Sequence, residues 1–401
     1  FLRIAPYGDG VELDLGDSAN TRIRVTSAGV DVVSSASDTL FLTTATTQAL
    51  PLPDITGNAK LLANYVNISD SEFILLLAYI TYVLFHPKLP KHNLPILVIA
   101  GEQGSGKSTL CRIIQMFTDP RTTGVQSFPG NKKDFIVQIQ HCHVASYDNM
   151  RAVSAKMSDL LCTASTGGTS SDRTLYTNSD VTVQRVHCFL VFNGIHNFVL
   201  QPDLAQRTIT ITTDPISEQC RQSEAEIHSE IEKHAPSIFG GILNLLSKIL
   251  HHLPDAKIIH PSRMIEFVRW LAAMELADGV EPGSYQEIYH NSIQAAQLDS
   301  LMDDPLAARV IEFAETQSDG SWSGTPDALF REMLTNGFGG FVSRGRHMPD
   351  NATSLGKRLR ALTASLEKQG IHLKFTRGKQ RKITIKADSY STKNTELNGE
   401  L

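Results

Sequence analysis

Nowhere in the 401 residues does an uncharged apolar run reach the roughly 18 residues that a bilayer span needs, so membrane insertion is not expected. The uncharged stretch Phe73 to Phe85 is too short to cross and reads as a buried helix. CxxC pairs are also missing. The five cysteines, Cys111, Cys142, Cys162, Cys188 and Cys220, are odd in number. That favours reduced, mostly buried thiols and a cytoplasmic location over a disulfide framework. In His141-Cys142-His143, strand alternation would send the histidines to one face and the cysteine to the other, so the triplet is not read as zinc ligands. Internal repeats are absent. The chain opens on Phe1 rather than Met, as an excerpt would, and the lack of a signal peptide therefore carries little weight.

A net positive charge is lacking too. The formal charge of −5 argues against a general polyanion binder, but its distribution is uneven. From Arg344 to Lys382 eleven Lys or Arg face two acids, which makes one end of the chain a basic module.

The length implies about two or three domains rather than one core. Residues 1–57 alternate in short runs such as Val11-Glu12-Leu13-Asp14-Leu15, as a small β-rich module would, and Pro51-Leu52-Pro53 reads as a linker. Residues 58–215 begin with helical spacing up to Phe85 and then alternate strands and helices, as an α/β nucleotide-binding core requires. Its strand candidates are Ile96 to Ala100, His143 to Tyr147, Cys188 to Phe192 and Thr208 to Thr212. Residues 216–320 are mostly helical and read as a lid or connector. Residues 321–386 give two helices and two short strands, with Leu355, Leu359, Leu362 and Leu366 on one helical face, and 387–401 form a polar tail expected to be disordered.

The strongest motif follows the first of those strands. Gly101-Glu102-Gln103-Gly104-Ser105-Gly106-Lys107-Ser108, with Thr109 next, satisfies GxxxxGKS. A glycine turn opening a helix lets backbone N–H groups close around a phosphate; Lys107 would reach the outer phosphates of ATP and Ser108 would hold Mg²⁺. Such a loop needs an acid at the end of a neighbouring strand, and Asp148 supplies it. Asn149 stands where many motors carry a glutamate base, with Asp159 as a substitute candidate. Asn193 ends another strand, either as an amide that orients the attacking water or as a turn former before Gly194. Arg207 closes Pro202-Asp203-Leu204-Ala205-Gln206-Arg207 and suits an arginine finger for a neighbour's ATP.

This order resembles the AAA+ ATPases near the superfamily 3 helicases and the ATPase half of phage and mobile-element primase-helicases. Three stretches carry the resemblance: Gly101 to Thr109, the pair Asp148-Asn149, and the block from Arg173-Thr174-Leu175-Tyr176-Thr177 to Asn193-Gly194-Ile195 and the segment ending in Arg207. It covers roughly residues 1–215 and implies an AAA+ core. By it, Lys107 and Ser108 bind nucleotide, Asp148 binds magnesium, Asn193 is a sensor and Arg207 acts in trans within a homo-oligomer, a hexameric ring. It also implies a pore hairpin in the interval Gly167 to Arg185, where Arg173 and Arg185 would track phosphates, although a plain surface hairpin fits those residues equally.

The basic end, Gly324 to Ile385, reads as a winged helix in which Arg358, Arg360, Arg377, Lys379, Arg381 and Lys382 contact DNA phosphates, or as one with a solvated basic face and a protein partner. The expected function is an oligomeric, Mg²⁺-dependent ATP-driven motor on DNA, a replicative helicase or initiator of a phage, plasmid or mobile element. The alternative, favoured by Asn149, is a nucleotide-gated DNA-binding regulator with slow turnover. A small-molecule kinase shares the glycine loop but has no use for Arg207 or a winged helix.

Overall fold

The alternating runs at the start of the chain pair into an antiparallel sheet in the order β1 (Ile4–Tyr7), β2 (Gly10–Asp14), β3 (Arg22–Thr26) and β4 (Gly29–Val33). Ile4, Val11, Leu13, Ile23 and Val25 are buried in one core with the helices that follow, so sheet and helices cover one another. The computed structural model describes residues 1–34, 38–89, 91–151, 153–173, 181–194, 201–217, 219, 223–302, 304–317, 320–335, 349–376 and 381–388. They fall into two units, Phe1–Ala296 and Gln297–Leu401.

In the first unit a 3₁₀ turn (Ala59–Tyr65) leads to α1 (Asp70–Phe85). Ser69 and Glu72 close its start as a reciprocal capping box, and every residue from Leu75 to Leu84 is buried, as a helix apolar on all sides must be. β5 (Ile96–Ala100) then feeds the glycine turn and α2 (Lys107–Thr118). Next come β6 (Gln126–Ser127), α3 (Lys132–Gln140), β7 (Val144–Met150) and α4 (Ala155–Thr166). A hairpin of β8 (Gly168–Arg173) and β9 (Val181–Val186) precedes β10 (Phe189–Gly194), and α5 (Pro202–Ala205) precedes β11 (Thr208–Thr212).

Five of these strands form a parallel sheet in the order β11-β5-β10-β7-β6. Both faces are covered, which is why the central strands β5 and β10 read as apolar runs. Leu97, Ile99, Phe189, Val191, Ile209 and Ile211 join the core of α1 and α2, while Ile96, Val98, Tyr147, Leu190 and Phe192 join that of α3 and α4. The expected strands at Ile96, His143, Cys188 and Thr208 are present within a residue or two at the start; β6, two residues long, carries no periodicity and was not expected.

Three helices complete this unit: α6 (Glu224–His252), α7 (Ile265–Asp278) and α8 (Ser284–Met302), the last spanning the division between the units. The segment after Pro53 crosses α6 at backbone distance. Asp54 N donates to Pro236 O at 2.9 Å, and a Cβ added at Gly240 would stand 1.6 Å from Asp54 O, one at Gly241 2.0 Å from Ala59 N.

The second unit continues with α9 (Pro305–Glu315), β12 (Ser321–Gly324), α10 (Pro326–Thr335), α11 (Ala352–Glu367), β13 (Ile371–Thr376) and β14 (Lys382–Ala387). Its antiparallel sheet has the order β12-β14-β13. Leu355, Leu359 and Leu366 are buried in a separate core, with Leu362 partly so, which is the face the leucine spacing marks. Of the polar tail only Ala387 and Asp388 are among the described residues. Among the described residues no helix is long and apolar enough to cross a membrane.

Candidate functional site

Because β5, β10 and β7 run parallel, their C-terminal ends open on one edge, where ligands of open α/β sheets bind. The turn after β5 is built from glycines in the left-handed region, with φ of 150° at Gly101, 80° at Gly104 and 88° at Gly106. A side chain at Gly101 would meet Thr213 Oγ1 at 2.2 Å. Ser105 locks the turn, donating to Glu102 O at 2.8 Å and lying 2.6 Å from Thr213 Oγ1. No side chain caps α2 at Gly106, so its first N–H groups stay available to an anion. Glu102, Gln103 and Gly104 are exposed; Ser108 and Thr109 are half-buried. Lys107 Nζ donates to Gly101 O at 2.8 Å and to Glu102 O. Burial lowers the pKa of its ammonium and the Asp148 charge opposes that fall.

Ser108 Oγ donates to Asp148 Oδ2 at 3.2 Å, bringing the start of α2 and the end of β7 together. A hydroxyl and a carboxylate at that separation are hard oxygen donors of the kind Mg²⁺ takes, and the remaining coordination sites suit water and phosphate. Asn149 adopts φ of +57°, and its N–H donates to Asn193 Oδ1 at 2.9 Å. Asn193 Nδ2 in turn approaches Cys111 Sγ on α2 at 3.4 Å, and Asn193 is 1% exposed. Burial pushes the Cys111 thiol up to about 12, so it stays protonated at neutral pH. Both ends of the Asn193 amide are thus engaged in clamping α2, β7 and β10, a role that its place before Gly194 did not reveal. Asp159 is exposed on α4.

Arg207 sits between α5 and β11, its side chain 10% exposed, with Nε 3.4 Å from Asp203 Oδ2. Arg263, ahead of α7, pairs with the other oxygen of the same carboxylate. Burial would raise the Asp203 pKa, but the Cys162 hydrogen bond and the two arginines outweigh it and hold the carboxyl below its usual range. The burial of Arg207 and the partnership of Arg263 both escaped the sequence.

The remaining candidates lie on other elements of the two units. Arg173 pairs in backbone register with Val181 at the end of the hairpin remote from Gly168, while Arg185 is exposed on β9 ahead of β10, towards the sheet edge opposite the glycine turn. On α11, Arg358 donates to Asp304 Oδ2 at 2.7 Å, and Arg360 lies 4.9 Å over the Phe375 ring. Arg381 and Lys382 are exposed; Arg377 and Lys379 lie outside the described residues. The alternation argued for His141 and His143 does not apply. His141 ends α3 and is exposed, whereas His143 is buried with Nε2 3.0 Å from Val83 O. Among the described residues Cys111, Cys142, Cys162 and Cys188 are buried free thiols, and Cys220 lies outside them.

With this geometry in view, residues 59–304 match the family described as "Actinomycete integrative conjugative element replication protein", and residues 306–396 match its "AICE RepA C-terminal domain". The chain belongs to this family of replication proteins. Among solved structures the replication protein is similar to one titled "SCCmec type IV Cch - active helicase", at 11% identity and TM-score 0.47, covering 96% of this chain and 78% of that one. It is also similar to the apo C-terminal region of NrS-1, at 12% identity and TM-score 0.39, covering 86% and 79%. Curated proteins offer no match to it.

Proposed function

We propose that this mobile-element replication protein is a Mg²⁺-dependent P-loop ATPase of the AAA+ kind that works as an oligomeric motor on DNA. The observation that carries the reading is the meeting of Ser108 and Asp148 at 3.2 Å beside a glycine turn whose lysine is already seated. Residues 101–109 receive the triphosphate. Lys107 exchanges the Gly101 and Glu102 carbonyls for phosphate oxygens, and the N–H groups opening α2 take the rest of the charge. Ser108 and Asp148 would hold the magnesium, which would supply positive charge against the charge that develops on the phosphates. Asn193 acts first by fixing the peptide of Asn149. Arg207 serves the neighbouring subunit once assembly draws it away from Asp203, and a hexameric ring is the assembly that suits a finger given in trans.

In the second unit the order α9, β12, α10, α11, β13, β14 supports a winged helix. The exposed Arg360, Arg381 and Lys382, together with Arg377 and Lys379, are its DNA phosphate contacts; Arg358 supports them from its pair with Asp304. Arg173 and Arg185 belong to a hairpin that grips the strand in the ring pore. A second reading, a nucleotide-gated regulator with slow turnover, is favoured by Asn149, which leaves no carboxylate beside Asp148 to activate water. The rate of ATP hydrolysis against protein concentration, with and without single-stranded DNA, separates the two. A motor gains turnover with both; a rate near zero under all conditions sinks the motor reading.

A further inference from the structure

At the other end of α2 from the glycine turn, the fully buried carboxylate of Asp119 gathers two arginines and one strand. Its Oδ1 accepts from Nε and Nη2 of Arg3, both at 3.3 Å. Its Oδ2 accepts from Arg121 Nε at 2.9 Å and from the backbone N–H groups of His143 and Val144 at 2.7 and 3.2 Å. Arg3 stands just ahead of β1, and its other N–H groups hold that sheet and the segment behind it, reaching Asp14 O at 3.1 Å, Leu15 O at 3.2 Å and Gln48 O at 2.9 Å. Burial alone would raise the Asp119 pKa, but Arg121 and Arg3 outweigh it, so the group stays ionised.

Helix capping does not account for an acid here. The C-terminal end of a helix is its negative end, so a carboxylate at the C-cap of α2 is of the unfavourable sign. What the carboxylate does instead is tie α2 to the start of β7. The two elements are therefore cross-linked twice, by Asp119 to His143 and Val144 at one end and by Ser108 to Asp148 at the other. Four steps along the strand, about 13 Å, separate Val144 from Asp148. Sliding β7 along α2 would break both sets of bonds, so the anchor at its start fixes how far Asp148 reaches along the helix.

We propose that Asp119, braced by Arg3, is a positioning residue for Asp148, so that the N-terminal sheet sets the metal affinity of the nucleotide site. This rests on the reading of that site as a magnesium–nucleotide site. The test uses the full chain with Asp119→Asn and Arg3→Lys. An amide at position 119 cannot accept from both the strand and the guanidinium groups, and a lysine at position 3 keeps the charge while losing the fork. Mn²⁺ binding to the ADP-saturated protein is followed by electron paramagnetic resonance, and ADP affinity is measured separately in EDTA. For Asp119→Asn, Mn²⁺ affinity is expected to fall about tenfold, as for other groups that orient a metal's ligand, with metal-free ADP affinity unchanged. Arg3→Lys should shift Mn²⁺ in the same direction by a smaller factor, and it carries the test alone should the asparagine variant not fold. Unchanged Mn²⁺ affinity in the folded variants overturns the proposal, as does an equal loss of Mn²⁺ and metal-free ADP binding. A wild-type chain with no ADP-dependent Mn²⁺ site overturns the nucleotide-site reading and the proposal together.

Discussion

The backbone N–H of Asn149 donates to Oδ1 of Asn193 at 2.9 Å, tying the residue beyond Asp148 to the end of the neighbouring strand. Asn193→Ala removes that acceptor from a partly buried N–H, and should lower stability by about 1 kcal/mol. Chemical denaturation measures this directly. A variant as stable as the wild type but dead in hydrolysis would instead make Asn193 a group that acts on water alone.

The same turn gives a reason for Asn149 itself. At φ of +57° asparagine and glycine are tolerated, whereas other side chains crowd the backbone at a cost of roughly 1–2 kcal/mol. Asn149→Gly should therefore be nearly neutral in thermal midpoint and Asn149→Ala lower. Equal midpoints would mean that the backbone conformation does not select the residue.

Lys107→Ala should weaken ATP binding by about 10- to 100-fold, the range for losing a charged hydrogen-bond partner, while the thermal midpoint of the ligand-free protein holds. Asp148→Ala should leave ADP binding in EDTA intact and abolish Mg²⁺-dependent turnover. Calorimetric titration with and without magnesium checks both, and normal magnesium-dependent turnover in Asp148→Ala would move the metal to another acid.

Arg207 makes an assembly prediction. A finger acting in trans supplies about 10³ to 10⁵ in rate, so wild-type turnover per subunit should rise with concentration and Arg207→Ala should lose it while binding ATP. Mixing Arg207→Ala with Lys107→Ala should restore part of the rate, since each contributes what the other lacks. Mixtures shown to co-assemble that stay inactive would count against the finger, and would leave Arg207 as a partner of Asp203.

Replacing Arg377, Lys379, Arg381 and Lys382 together with Ala should weaken DNA binding and flatten its salt dependence. On duplex DNA each lost phosphate contact reduces the log–log slope by about 0.9. Fluorescence anisotropy at several salt concentrations reads the slope, and an unaltered one would point to a protein partner for the second unit.

How much of this was legible beforehand depended on the range of the interaction. Strands β5 and β10 announce themselves because a central strand covered on both faces needs an uninterrupted apolar run, β11 by its Thr-Ile alternation, and the glycine turn because its backbone requires glycine at fixed positions. The leucine face of α11 follows from helical spacing. Sheet order has no such local mark, nor has β12, whose Ser-Trp-Ser-Gly sequence lacks an apolar alternation. Contacts such as Arg3 with Asp119, 116 residues apart, and Asn193 with Cys111, 82 apart, join polar side chains that elsewhere would be solvated. Arg207 looked like a residue aimed outward because charge is usually exposed. Its partner Asp203 was visible four residues away, but the burial of Arg207 was not.

Gly240 and Gly241 bear on how sequences of this kind can drift. The segment from Asp54 to Ala59 rests on α6 with no room for a methyl group between the two backbones. An alanine at either position, ordinarily the mildest change a helix can accept and one that favours helix formation, would here lift that segment off its track. The permissible substitutions along this helix are therefore ranked by a neighbour's main chain and not by helix propensity, so variation should accumulate on its solvent side and halt at these two glycines.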